Sequence, residues 1–309
     1  MSKTLLITGG TGLVGRHLAK AALNRGYSVV VLTRRLPFGK WKTSPEHKQL
    51  SYCGWTYLRM PEQAVLKADA AVHLAGANIF TRRWTSRRKK LILESRVQPS
   101  LALASILRKQ GKKLSAYVSA SAVGYYGTLT SEEVFGESQP PGRDFTGQTG
   151  FQWERAADEV AALGVRTVKL RTGIVLASDG GALLKMLPTF RLGLGAPLGT
   201  GRQYFPWIHV EDLVNMYLMA LESEELEGAY NAAVQSDTTS KSFSASLAKV
   251  LGKPYFMPTI PGFVLRSILG ERSKLLLEGS RVSDEKIRAA GFVFRWRELE
   301  LALADLLKR

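Results

Sequence analysis

At 309 residues, with 45% hydrophobic and 22% charged side chains, the chain has an ordinary globular composition and room for one α/β domain with a smaller companion. Its single cysteine, Cys53, excludes an internal disulfide framework and cysteine-based zinc sites, and His17, His47, His73 and His209 show no ligand spacing, so no metal is expected. The formal net charge of +17 attracts anions, leaving nucleic acid, phosphorylated cofactors and acidic metabolites as partner classes beside the bland alternative of a solvated basic surface.

In chain order, Thr4–Thr8 reads as a strand, 13–25 as a helix and Ser28–Thr33 as a second strand. Residues 70–74 form another unalternating apolar run of the buried-strand kind, and 84–110 a long helical region interrupted or kinked near Pro99. Further strands are expected at 115–119 and 167–171, with a helix around 153–162 between them. Glycine and proline then thicken through 173–206, which reads as loops around a helix at 182–192. A helix at Val210–Glu222, a strand at 229–232, a helix at 241–251 and a mostly helical tail from 261 complete the reading. Alternation of strands and helices predicts a doubly wound parallel sheet of the Rossmann type. It would occupy 1–172, with 207–233 returning to it, while 173–206 and 234–309 form a smaller C-terminal α+β substrate-binding lobe.

Between the first strand and first helix lies Thr8-Gly9-Gly10-Thr11-Gly12-Leu13-Val14-Gly15, a G-x-x-G-x-x-G loop in the context that makes such a loop informative. Gly9 and Gly12 let the backbone turn tightly against a pyrophosphate, and Gly15 lets the helix pack on the sheet. Unpaired N–H groups at the helix start, across Thr11 to Gly15, then face the phosphates. The second strand ends in Thr33-Arg34-Arg35, where an NAD-selective site carries an acid. A guanidinium there suits the 2′-phosphate of NADP; the alternative is two solvated arginines. The P-loop pattern G-x-x-x-x-G-K-[S/T] is absent.

More specific runs follow: His73-Leu74-Ala75-Gly76-Ala77-Asn78-Ile79, Arg83-Trp84-Thr85, Ser95-Arg96, and the stretch from Ser119 through Ser121 and Tyr125-Tyr126 to Gly127. Arg171-Thr172-Gly173, Phe205-Pro206-Trp207-Ile208-His209-Val210, a Leu276-to-Val282 segment and Gly291-Phe292 continue the series. Nearly end to end, the chain resembles the epimerase family of atypical, extended short-chain dehydrogenase/reductases, whose members are often described as nucleoside-diphosphate-sugar epimerase-like. The resemblance implies an NADP cleft between the two lobes. Leu74, Ala75 and Gly76 would line its adenine and ribose side, Ser119 and Ser121 would sit beside the nicotinamide, and Arg171, Thr172 and Gly173 would hold the carboxamide end. It also implies a homodimer through the helices that flank the long one.

Hydride chemistry in that superfamily normally uses Tyr-x-x-x-Lys on the helix following Ser119, the lysine lowering the tyrosine pKa. Here the helix reads Thr149-Gly150-Phe151-Gln152-Trp153-Glu154-Arg155, with neither residue. Tyr125 and Tyr126, with Ser121 to orient a substrate oxygen, are the available substitutes, unless both tyrosines are packed loop residues. Glu154 reads either as a base or as a first-turn helix acid, and His209 and Asp212 as a junction residue and a helix cap. Asn78, Arg83, Lys89 and Trp207 are the expected substrate contacts, Arg96 a cofactor contact. The arginines and lysines of the long helix either clamp an anionic substrate or form its wet face. The expected function is an NADP(H)-binding, epimerase-like oxidoreductase on a small polar substrate; the alternative is a redox-sensing or regulatory protein with little turnover. No zinc-finger or RNP-type pattern accompanies the charge, so nucleic acid is not expected. Without a signal peptide or a bilayer-length apolar run, the chain reads as cytoplasmic.

Overall fold

The computed structural model describes residues 2–308. Its strands are β1 (Thr4–Thr8), β2 (Ser28–Thr33), β3 (Trp41–Thr43), β4 (Leu50–Gly54), β5 (Ala70–His73) and β6 (Ala116–Ala122), then β7 (Val134–Phe135), β8 (Thr167–Thr172), β9 (Ile174–Ala177), β10 (Trp207–His209), β11 (Gly228–Ala232) and β12 (Arg281–Val282). The helices are α1 (Leu13–Asn24), α2 (Glu62–Leu66), α3 (Ser86–Gln110), α4 (Phe145–Ala161), α5 (Gly181–Arg191) and α6 (Val210–Glu222). The C-terminal part adds α7 (Ser240–Val250), α8 (Gly262–Leu269), α9 (Lys274–Leu277), α10 (Glu285–Ala289) and α11 (Leu299–Leu307).

Eight strands form one sheet in the order β11-β8-β6-β5-β1-β2-β4-β3, parallel throughout except for β3 on β4. Both faces are covered, which is why the inner strands are apolar without alternation. Leu5, Ile7, Val29, Val31, Val72 and Val118 turn towards one core shared with Leu18 of α1 and Leu213 and Tyr217 of α6. Leu6, Val30, Leu32, Ala71 and Tyr117 turn the other way, onto Val65 of α2, Leu103 and Leu107 of α3 and Val160 of α4. This is the Rossmann layering. β11 rejoins the sheet beside β8, in register from Gly228 against Val168.

Three differences from the sequence reading have physical causes. The segment 34–69 contains β3 and β4, short strands whose polar faces hid them; β3 is a sheet edge with Lys42 and Thr43 exposed. The segment 173–206 is not only loop: its β9 pairs in parallel with β10. Helix α4 starts at Phe145, eight residues before the expected 153, capped by Asp144 accepting from the Gly147 amide at 2.8 Å. Its first turns carry Thr146, Gly147, Thr149 and Gly150, poor helix formers. Gly147 is needed there, since a Cβ would stand 2.2 Å from the Gly142 carbonyl oxygen. Helix α3 runs unbroken through Pro99 from its Thr85 cap to Gly111. Among the described residues, no helix is long and apolar enough to cross a membrane.

Candidate functional site

The carboxyl ends of β1, β2 and β5 stand side by side in the sheet with the glycine loop following β1, the place where a doubly wound sheet carries its ligand groove. Gly9, at φ 71°, lies so close to β5 that a Cβ would come 2.6 Å from the Leu74 carbonyl carbon and 2.7 Å from the Ala75 nitrogen. The Gly12 amide closes the turn onto the Gly9 carbonyl at 2.9 Å, and a Cβ on Gly15 would sit 2.3 Å from that same oxygen. Gly12 caps α1 with no side-chain hydrogen bond, and no acid stands in the first turn. The opening amides of α1, at Leu13 and Val14 and beside exposed Thr11, are therefore uncapped by any side chain.

At the end of β2, Thr33 is buried and its hydroxyl accepts from the Arg35 amide at 3.2 Å. Arg34 and Arg35 both project into solvent at the groove's end. At the end of β5, the Ala75 amide donates to the Thr8 hydroxyl at 3.3 Å, and that hydroxyl lies 2.6 Å from His73 Nδ1. His73 Nε2 is 2.9 Å from the Arg96 carbonyl oxygen, so it carries the proton and Thr8 donates to Nδ1. Burial holds this imidazole down to about 4 and thus neutral at pH 7. A buried chain Thr8–His73–Arg96 fixes the segment 74–76 against α3. Gly76 is exposed above the Arg96 guanidinium.

The expected catalytic trio sits deeper than the sequence suggested. Ser121, 2% exposed, donates to Glu154 Oε1 at 2.7 Å. Glu154 is bidentate to Arg171, with Nε to Oε1 at 2.8 Å and Nη2 to Oε2 at 2.9 Å. The Tyr126 hydroxyl donates to Asn231 Oδ1 at 2.7 Å and accepts from Arg171 Nη1 at 3.0 Å. Burial pushes this phenol up to about 12, against the pull of Arg171. Tyr126 is thus tied into the interior by its hydroxyl. The Tyr125 ring lies under the guanidinium, 3.5 Å from Arg171 Cζ to its centroid, and burial raises its phenol too.

Arg171, expected at the carboxamide end of a cofactor, is buried, with its side chain turned inward to Glu154, Tyr126 and the Glu137 carbonyl. Its anionic partner raises its pKa further despite burial. Thr172 follows with its hydroxyl on the Leu170 carbonyl, and a Cβ on Gly173 would stand 2.6 Å from the Pro206 oxygen. Ser119 is fully buried in mid-strand and donates to the Ala120 carbonyl, because β6 runs on to Ala122.

Of the expected substrate contacts, Trp207 is wholly buried in β10, its indole donating to Thr238 Oγ1 at 3.4 Å, so it is a core residue. Asn78 and Arg83 are exposed in the loop before α3, with Asn78 Oδ1 accepting from the Phe80 amide. Lys89 pairs with Glu271, just after α8, at 2.7 Å and lies over the Phe145 ring. His209 caps α6, accepting from the Glu211 amide, and Asp212 accepts from the Arg295 and Trp296 amides. Sequence reasoning missed the engagement of Glu154, Asn231 and Glu137 in one buried polar network; the Asn231 amide donates to Glu137 Oε1 at 2.7 Å. No local spacing signals it.

Comparison with known proteins agrees with this architecture. Residues 5–233 match the model of the NAD dependent epimerase/dehydratase family, and 260–306 match a domain of unknown function, DUF1731. The Epimerase family protein YfhF of Bacillus subtilis is 34% identical, covering 98% of this chain and 97% of its own. The Epimerase family protein SDR39U1 of Bos taurus is 36% identical over 98% and 99%. Among solved structures, human epimerase family protein SDR39U1 (isoform 2) with NADPH superposes with a TM-score of 0.85 at 33% identity, over 99% of both chains. The chain belongs to the NAD dependent epimerase/dehydratase family.

Proposed function

We propose that this chain binds NADP(H) along the glycine loop and acts as an epimerase-like oxidoreductase on a small, polar, anionic substrate, without a Tyr-x-x-x-Lys pair. The observation that carries the cofactor is Arg34, exposed at the end of β2 where a 2′-hydroxyl site would need an acid. The rest of the groove fits a dinucleotide. Backbone already fills the space a Cβ would need at Gly9 and Gly15, and α1 begins without a side-chain cap. The human relative solved with NADPH supports the choice of nucleotide.

A bound nicotinamide supplies hydride donation or acceptance. The protein's own part is positional. Thr8 and His73 hold the 74–76 segment still. The uncapped opening amides of α1 would hold the phosphates, Arg34 and Arg35 would hold the 2′-phosphate, and Tyr125 is the phenol left to exchange a proton with substrate. A second reading has its own observation. Ser121 and Tyr126 both donate their hydroxyl protons inward, to Glu154 and Asn231, which favours a protein that holds NADP(H) and reports redox state with little turnover. In either case the protein works in the cytoplasm, as a homodimer through the helices beside α3.

Titration with NADPH and NADH, followed by energy transfer from the tryptophans, tests the cofactor. Arg34→Ala should weaken NADPH binding at least about tenfold, the loss of one charge-assisted contact, and leave NADH nearly unchanged. Equal affinity for both nucleotides, or an unaltered variant, refutes the assignment.

A further inference from the structure

A Tyr-x-x-x-Lys pair sets a phenol and a cation four residues apart on one helical face. On α4 the residues at that spacing beside Tyr125 and Arg171 are Gly150 and Glu154, neither a phenol nor a cation. Each seats one of the missing groups. At Gly150 the helix runs so close to the turn after β6 that a Cβ would stand 3.0 Å from Tyr125 Cα and 3.2 Å from its Cβ. Tyr125 thus takes the space that a side chain at 150 would need. Glu154 grips Arg171 with both oxygens, at 2.8 and 2.9 Å. The two seated groups then meet: Arg171 Cζ lies 3.5 Å from the Tyr125 ring centroid, against 5.2 Å from that of Tyr126. The two hydroxyls differ as well. Tyr126, 2% exposed, gives its proton to Asn231. Tyr125 keeps 8% of its surface open, and among the described residues its hydroxyl donates to no protein group.

Burial raises the Tyr125 phenol, Arg171 is the strongest pull against that rise, and Glu154 and Asp158, both on α4, push it up. A cation on the ring face is attracted by the π-electrons and favours the phenolate over the phenol. We infer that Arg171 is the positioning residue for Tyr125, doing from β8 what the lysine of Tyr-x-x-x-Lys does from the helix. The pair is rebuilt from three elements, the turn after β6, α4 and β8, in place of one. The inference rests on Tyr125 being the phenol that exchanges a proton with substrate. When that phenol protonates a substrate oxygen, its O–H bond breaks and the negative charge stays on a ring lying against the guanidinium; the reverse step returns the proton. Glu154 fixes the guanidinium and tempers its charge at the same time.

Fluorine NMR of the protein with 3-fluorotyrosine introduced at Tyr125 follows this one phenol, among the chain's 10 tyrosines, through an alkaline titration. Arg171→Met should lower the phenolate-to-phenol ratio at a fixed alkaline pH by about tenfold, the lower end of what a close opposite charge does. Arg171→Lys, which keeps the charge, should restore most of the loss. Glu154→Gln removes the counter-charge and keeps the shape, so it should raise the ratio, by about threefold, since that carboxylate stands behind the guanidinium. It carries the test if the methionine variant does not fold. Opposite signs in these two variants mark an effect of charge, because loosened packing would move both the same way. A phenol that titrates identically in wild type, Arg171→Met and Glu154→Gln, or that moves in one direction in both variants, overturns the pairing. Loading the protein with NADP+ and with NADPH reads the place of Tyr125 separately. The oxidised ring is positively charged, so NADP+ should give more phenolate than NADPH does. Equal titrations with both nucleotides bound overturn the role of Tyr125 beside the nicotinamide, whatever the Arg171 variants show.

Discussion

Replacing Glu154 by alanine leaves the Arg171 guanidinium buried without its carboxylate and removes the acceptor of the Ser121 hydroxyl. Breaking a buried ion pair from one side typically costs about 3–5 kcal/mol, because the remaining charge is uncompensated. Arg171 keeps the Tyr126 oxygen, the Glu137 carbonyl and the face of Tyr125, so the lower half of that range is expected. An unfolding entropy of about 2.1 cal/mol/K per residue gives this chain about 0.65 kcal/mol per kelvin, so the melting temperature should fall by about 5–6 °C. Glu154→Gln keeps one acceptor and the shape, and should lose about half as much. Calorimetry at pH 7 measures all three proteins. The Glu154→Leu, Arg171→Met double variant removes both charges together and should melt above Glu154→Ala. A fall of less than about 2 °C in Glu154→Ala, or a double variant no better than the single, would refute the view that this pair organises the interior below the groove.

Three further outcomes follow from the same geometry. Burial lowers His73 to about 4 from its ordinary 6.5, so its contribution is intact above pH 6.5 and fades as the pH falls towards 4. Between pH 7 and pH 5 wild type should lose about 2 kcal/mol, or about 3 °C, more than His73→Gln; parallel melting curves would show that the imidazole does not titrate in this way. Gly15→Ala drives a Cβ to 2.3 Å from a backbone oxygen, so it should destabilise by about 1–3 kcal/mol and abolish NADPH binding. Gly12→Ala meets the same oxygen at 3.2 Å and should do far less, and equal effects in the titration would count against the close-approach argument. Lys89→Met breaks a partly exposed pair with Glu271, worth about 0–1 kcal/mol, so a melting shift beyond about 2 °C would mean that this bridge does more than tie α3 to the segment after α8.

The parts of the molecule that were legible in its sequence are those whose cause is local. The β1–glycine loop–α1–β2 unit reads directly because buried parallel strands are apolar without alternation and because each loop glycine answers a contact only a few residues away or one strand across. Trp207 reads as a site residue only while its burial is unknown. Glu154 shows how one boundary carries an error forward. Placed in the first turn of a helix starting at 153, it has an innocent role against the helix dipole; in a helix starting at Phe145 it lies deep along the element, buried, and faces Arg171. The two are 17 residues apart, Ser121 is 33 from Glu154, and Tyr126 is 105 from Asn231. Contacts over such separations are set by the register of β6, β8 and β11, which no single segment encodes. The same reasoning explains why the absence of Tyr-x-x-x-Lys said so little. A helix motif reports only one face of α4, whereas α4 packs along α3 and its surroundings are set by both helices. The guanidinium that lies over Trp153 belongs to α3, at Arg96, and that pairing becomes visible only once the two helices are placed together.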